Sequence, residues 1–412
     1  MAHKGTIWDT IVVGGGPGGM FAAYRSASLG NKTLLLEKNP SLGKKLLITG
    51  GGRCNFTNAD PDIRNFCEKF GREGKGLLTL LHQFSPTDCL DWFAQRGMPY
   101  KVEAEQRAFP QSDQAQSVLD CLIKAMAEAE VQVQTHSVVR SLEPLGLEKG
   151  FQVKTSGETY TSKRVILATG GLARPETGST GDGLNWLRKL GLKVHAPDPS
   201  LVPITIKEKK FGALMGVSFL DCGIRVLRGG KRILRKRGKL LFAHFGLSGP
   251  LILNLSRMLH QEAKKGPVTL ALDFFPDQSP EDWEREFQAK IHTSPKKKLS
   301  SILKGVFPPK MLSFLLKGMG SGDKPANQVT KTERKVVCGW AKNLELTFEG
   351  ILGPDKAIVS SGGIDLSEVD FRTVQLKKVP GLHVVGDILN INRPSGGFSL
   401  QVCWSTAWAA GS

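Results

Sequence analysis

Hydrophobic and polar positions along the chain fall into three regimes. At the start, Ile11-Val12-Val13 is a β-branched strand running into glycines, Met20 to Leu29 is a helix-forming run, and Thr33 to Leu36 is a second apolar strand. Val165-Ile166-Leu167 predicts a buried strand ending in Ala168-Thr169-Gly170, Pro380 to Val385 a short strand entering a Gly386-Asp387 turn, and Phe398 to Ala410 a helix. Between these, Leu201 to Phe275 alternates apolar and polar residues in short runs. Gly223 to Leu227 and Lys231 to Arg235 flank Gly229-Gly230 there as a hairpin. Pro280 to about Leu344 is helical in pattern and rich in Lys. Ser294 to Lys298 and Gly318 to Asn327 read as flexible connections, and no internal repeat is present.

The first strand and helix carry chemistry. Gly14, Gly16 and Gly19 stand between them at the G-x-G-x-x-G spacing, and Glu37 closes the second strand 18 residues past Gly19. Glycine triplets arise by chance, but strand, glycines, helix and acid in this order make a dinucleotide-binding unit. Gly14 makes the tight turn, Gly16 lets the backbone approach a pyrophosphate, and Gly19 lets helix and strand pack closely. The phosphates then rest on free N–H groups at the positive end of the helix.

Which dinucleotide is decided further on. Gly50-Gly51-Gly52-Arg53-Cys54-Asn55 follows the first βαβ unit, and the Gly386-Asp387 turn comes about 350 residues later. FAD stretches across a domain and needs such a distant turn, whose carboxylate can reach the ribityl chain; NAD does not. Gly396-Gly397 precede the last helix, whose N-terminus would stabilise negative charge at the N1–O2 edge of reduced flavin. The expected cofactor is therefore FAD. Its expected contacts are Gly14, Gly16, Gly19, Glu37, Lys38, Gly51, Arg53, Asn55, Val139, Thr169, Gly170, Gly386, Asp387, Gly396 and Gly397.

With 412 residues, two or three domains are expected. Residues 1–195 and 352–412 carry every cofactor signal. The expected architecture is α/β: a discontinuous, Rossmann-like, two-dinucleotide-binding FAD domain, with 196–351 inserted as a lid and substrate domain. The insertion reads as β-rich over 196–278 and helical over 279–351.

Taken together these motifs resemble the BaiN/RdsA (YhiN-type) family of FAD-dependent oxidoreductases over essentially the whole chain. Its marks are Gly43-Lys44-Lys45, the run from Thr49 to Asn58, Phe109-Pro110, Ala168 to Gly171, Thr177 to Gly183, Pro199 to Pro203, Leu241 to Pro250 and Gly396 to Gln401. The run around Arg53 is rare enough to carry the assignment almost alone. The chain departs from the family at Phe398 and Ser399, where Tyr and Asn are usual, at Val374-Gln375-Leu376, and at Asp387, where Glu is common. The resemblance implies reduction of a conjugated carbon–carbon double bond, oxidation of a small amine, or reduction of uridine to dihydrouridine in large-subunit ribosomal RNA.

Composition narrows the setting. A hydrophobic content of 40% and a charged content of 23% are those of a soluble globular protein. The most apolar stretch, Leu240 to Leu255, is interrupted by His244, Gly246, Gly249 and Pro250, so no membrane span is expected. No secretory signal is read before the first strand. Seven scattered cysteines with no Cys-x-x-Cys pair argue for a reduced cytoplasm and against a structural metal or redox dithiol.

Charge changes the picture most in the insertion, which holds 27 Lys and Arg against 14 Asp and Glu, so most of the net +18 lies there. Arg225, Arg228, Arg232, Arg235 and Arg237 form its densest run, and Lys297 lies in a second cluster. Such a surface is either a solvated face or a contact for RNA phosphates, where cations release counterions. Ribosomal RNA or another polyanion is the partner expected on the second reading, and a small-molecule substrate is the alternative. A flavoprotein that binds RNA without turnover is a third reading.

For the chemistry, hydride would reach C6 of a uracil ring and an acid would protonate C5. Arg53 could stabilise enolate charge, Cys54 could donate a proton or simply pack, and His244 could serve as acid or bond a loop carbonyl. With one glycine fingerprint, NAD(P)H would have to dock transiently as reductant.

Overall fold

A computed structural model describes residues 6–146, 149–320, 323–353 and 359–412. The chain divides into two compact units, residues 1–200 with 354–412 and residues 201–353. Met1–Gly5 and residues 147–148 and 354–358 of the expected cofactor domain, and Ser321 and Gly322 of an expected connection, lie outside the described residues.

The first unit is built on a parallel sheet. Strands Leu382–Val384, Thr159–Leu167, Ile7–Val13, Thr33–Leu36 and Gln132–Gln134 lie side by side in that order, all parallel. The first half of Thr159–Leu167 also pairs antiparallel with Gly150–Thr155, which pairs in turn with Val139–Gly146. Ile11, Val12, Leu35, Val165 and Leu167 are buried, as expected of parallel strands covered on both faces.

Two helices cover the sheet near the glycine turn. Pro17–Ser28 begins with Pro at its first position, where a missing N–H costs nothing. Phe398–Gly411 is apolar on all sides and buried along nearly its whole length, which marks a helix inside the core rather than on it. The two meet through Phe21 and Trp404, whose ring centroids are 5.5 Å apart, and through Arg25, 3.9 Å above the Trp408 ring.

The second unit is a closed six-stranded antiparallel barrel in the order Ile204–Ile206, Gly246–Ser248, Lys231–Ala243, Ser218–Arg228, Val268–Asp273 and Leu344–Ile351. Pairing of Ile204 with Ile351 closes it. The region read as helical ends at Lys342, because Leu344, Leu346 and Phe348 alternate with exposed or half-buried residues and form the closing strand. The region read as β-rich in turn contains the helix Pro250–Ala263. The two segments expected to be flexible are tied to each other. Lys298 bridges Pro325, and the Ala326 N–H donates to Lys297 O at 2.8 Å.

Candidate cofactor-binding site

The glycine turn has the geometry its spacing implies. Gly14 sits at φ +111°, and a Cβ there would lie 2.5 Å from the Ala168 carbonyl oxygen, so only glycine lets the neighbouring strand approach. A Cβ on Gly19 would stand 1.8 Å from the Gly14 oxygen, whereas one on Gly16 would meet nothing within 4 Å. Gly16 caps the helix Pro17–Ser28 without a side-chain hydrogen bond, and no acid lies in its first turn. Its N–H groups are thus available to an anion. Glu37 accepts from the N–H groups of Gly15 at 2.6 Å and Asn39 at 2.7 Å, which closes the turn and leaves lone pairs for a ribose hydroxyl. Ser137 donates its N–H to Glu37 O, bringing the chain that enters Val139 alongside.

Hydrogen bonds gather the late motifs around this turn. Gly43 donates to Gly15 O at 2.9 Å, Ala168 to Val13 O at 2.9 Å, and Val385 to Leu167 O at 3.0 Å. Lys45 pairs with Asp387 at 2.9 Å across 342 residues of sequence. Asn58 donates to Gly396 O at 3.0 Å. Asn55, with its amide turned to suit its neighbours, donates to Ala108 O and Thr57 O and accepts from Gly397 N at 3.0 Å. Asn55 therefore holds the Gly396-Gly397 turn in place. Gly397, at φ +95°, starts the last helix and lies so near strand Thr57–Asn58 that a Cβ would be 2.3 Å from Thr57 O.

Two buried oxygens in this set have no hydrogen-bond partner: Oδ1 of Asp387 and Oγ1 of Thr169. Gly183 leaves room for the Thr169 hydroxyl, since a Cβ there would be 2.2 Å from it. Burial opposes the charge of Asp387, but Lys45 and Arg393 outweigh it and hold the carboxyl below its ordinary value. An ionised carboxylate short of a donor suits a ribityl hydroxyl, and the open N–H groups beside Gly16 suit a pyrophosphate. These residues fit FAD.

The residues singled out for chemistry are placed differently. Arg53 is engaged by the carboxylates of Glu103 and Asp113 and lies 4.0 Å over the Phe109 ring, so its charge is already paired. Cys54 is fully buried and burial pushes its thiol up to about 12, the setting of a packing residue rather than an acid. Lys38 is held by Thr180 and Asp182, at 2.6 and 2.9 Å. Gly51, at φ +69°, and Gly170, at φ +71°, are left-handed turn positions. Lys45 and Arg393 join this set through Asp387. Lys45 stands in the Gly43-Lys44-Lys45 motif, but no periodicity marks Arg393 as buried.

In the second unit, His244 is exposed in the turn between Lys231–Ala243 and Gly246–Ser248. The hairpin cations divide into two groups. Arg225 donates to Asn343, Arg228 pairs with Glu262, and Arg237 is held by Asp221 and Asp277. Arg232, Arg235 and Lys297 are exposed and make no ion pair among the described residues. Among those residues no helix is long and apolar enough to cross a membrane, and no cluster of His, Cys, Asp and Glu could hold a metal.

A parallel sheet opening on a glycine turn, with a distant Gly-Asp turn and a glycine-capped core helix, defines a Rossmann-type FAD-dependent oxidoreductase. A family model described as HI0933-like protein Rossmann domain matches residues 8–412, and the chain belongs to that family. It is similar to a 3-dehydro-bile acid delta(4,6)-reductase of Clostridium scindens, 30% identical over 404 residues and 97% of each chain. It is also similar to a ribosomal RNA dihydrouridine synthase of Escherichia coli, 28% identical over 403 residues, covering 98% of this chain and 96% of the relative. A 3-ketosteroid-delta4-(5alpha)-dehydrogenase from Rhodococcus jostii RHA1 shares the fold with a TM-score of 0.54 at 16% identity, covering 100% of this chain and 98% of that one.

Proposed function

We propose that the chain reduces a carbon–carbon double bond of a base in RNA, converting uridine to dihydrouridine in large-subunit ribosomal RNA. The observation that carries this is the basic hairpin. Its register sets Arg225 opposite Arg235 and Arg228 opposite Lys231; Glu262 already compensates Arg228, but Arg225 meets only the neutral Asn343 amide, so Arg225 and Arg235 face each other as like charges, which destabilises a sheet unless an anion lies between them. Among the described residues the outer edge of Lys231–Gly238 has no strand partner, since Lys231–Ala243 pairs on that side only at Leu241–Ala243. Edge lysines also discourage strand-to-strand aggregation. That role needs no facing arginines.

Bound FAD supplies the hydride, and the chain's own residues hold it: the Gly14–Gly19 turn, Glu37 and Asp387. Val139, Thr169, Gly170, Gly51 and the Gly396-Gly397 turn complete the assignment. A base must leave its stack to be reduced. The proton to C5 is not assigned to Cys54, which is buried, or to Arg53, which is paired. NAD(P)H is assigned as a transient reductant. Six of the seven cysteines are buried, which suits no dithiol relay.

The test is anaerobic incubation of reduced, FAD-loaded protein with ribosomal RNA from a strain lacking this gene, read by nucleoside mass spectrometry. New dihydrouridine is the expected result. Flavin that stays reduced until an enone is supplied would overturn the RNA reading in favour of a small-molecule reductase, the activity named for the Clostridium scindens relative.

A further inference from the structure

The least explained charges in the first unit surround Asp387. Lys45 Nζ lies 2.9 Å from its Oδ2 and Arg393 3.5 Å from its Oδ1, with the Arg393 side chain at 0% exposure. Arg393 also donates to the carbonyls of Ile391 at 3.1 Å and Gly386 at 2.6 Å, while its Nε has no hydrogen-bond partner. Neither cation pairs with a second carboxylate among the described residues. The first turn of the neighbouring helix Phe398–Gly411 contains no acid. Two cations therefore face one carboxylate beside a helix N-terminus, which itself carries about half a positive charge.

A buried surplus charge is costly and is kept where a counter-charge arrives. The pyrophosphate is already served by the uncapped start of Pro17–Ser28. We propose that Lys45 and Arg393 over-compensate Asp387 so that the site favours FAD when its ring gains negative charge on reduction, making the pair a setting for the flavin potential. This deepens the FAD assignment above and rests on it. Arg393 is a positioning residue, since it acts through Asp387 and backbone carbonyls.

The test measures the midpoint potential at saturating FAD, and the affinity of the apoprotein for oxidised FAD, in four variants. Lys45→Gln and Arg393→Met are expected to weaken binding of reduced relative to oxidised FAD about tenfold, a fall of about 30 mV for a two-electron couple. Arg393→Lys restores the potential, and Asp387→Asn moves it the opposite way while weakening FAD binding. If Arg393→Met does not fold, Lys45→Gln carries the test, because Lys45 is partly exposed. Equal loss of affinity for both redox forms, with the potential unchanged, would overturn the proposal and assign the cations to the phosphates. Unchanged FAD affinity in Asp387→Asn would instead sink the assignment of FAD to this carboxylate.

Discussion

Gly19 lies directly against the carbonyl of Gly14, where a Cβ would come within 1.8 Å of the oxygen. The helix Pro17–Ser28 thus docks on the very turn that ends the first strand. A side chain at residue 19 must push the two apart.

This contact separates two glycines that look alike in sequence. Gly19→Ala is expected to destabilise the apoprotein by about 3 kcal/mol or more through overpacking. Gly16→Ala, which meets nothing within 4 Å and has an ordinary φ of −77°, should change stability by no more than about 0.5 kcal/mol yet weaken FAD binding at least tenfold. Denaturant melts and FAD titration of the apoproteins check both, and a Gly16→Ala protein with normal FAD affinity would remove the phosphate from this turn.

The hairpin cations should behave as two classes. Arg232→Glu with Arg235→Glu is expected to abolish RNA binding with flavin content unchanged, and neutral replacements should lower the log–log salt slope by about 2. Arg237→Gln should leave that slope almost unaltered, because Asp221 and Asp277 already hold its guanidinium. Filter binding across a salt series distinguishes them; equal slopes for both variants would show that position on the hairpin does not matter.

Acid stability should carry the mark of His383. Burial pulls this imidazole down to about 4 from 6.5, and its Nδ1 lies 2.9 Å from the Thr373 carbonyl, which it satisfies as a neutral donor. The folded pKa is depressed, so the unfolded chain takes up a proton first as pH falls. Stability is full above about 6.5 and declines toward 4, by about 3 kcal/mol in all. Unfolding free energies from pH 7 to 4.5 should show this slope in the native chain and lose it in His383→Gln.

Cys54 should prove inert. With its thiol raised to about 12 and no exposure, it is expected to resist alkylation in the folded protein. Cys54→Ala should retain turnover within about twofold and cost about 1 kcal/mol in stability. A hundredfold loss of turnover at unchanged FAD content would restore it as the acid.

Local signals are legible where one residue type answers one local demand. The glycine turn is of this kind, since φ +111° at Gly14 and the close approach at Gly19 admit little else. The hairpin around Gly229-Gly230 likewise follows from alternation meeting a turn. The strand Leu344–Ile351 was as legible, with Leu, Leu and Phe at every second position, but the helical stretch before it masked the change of period.

By itself, then, the sequence determined the parallel βαβ start, the order of the cofactor motifs and the location of the positive charge, because spacing, periodicity and glycine conformation are properties of neighbouring residues. Only the tertiary structure decided which charges stay available. Arg53 finds Glu103 and Asp113, Arg237 finds Asp221 and Asp277, and Lys45 meets Asp387 across 342 residues. Burial and pairing depend on what the fold brings alongside from a distance. The fold buries Cys54, for which sequence left acid and packing both open, and it buries Arg393 beside Asp387, which no local pattern marks.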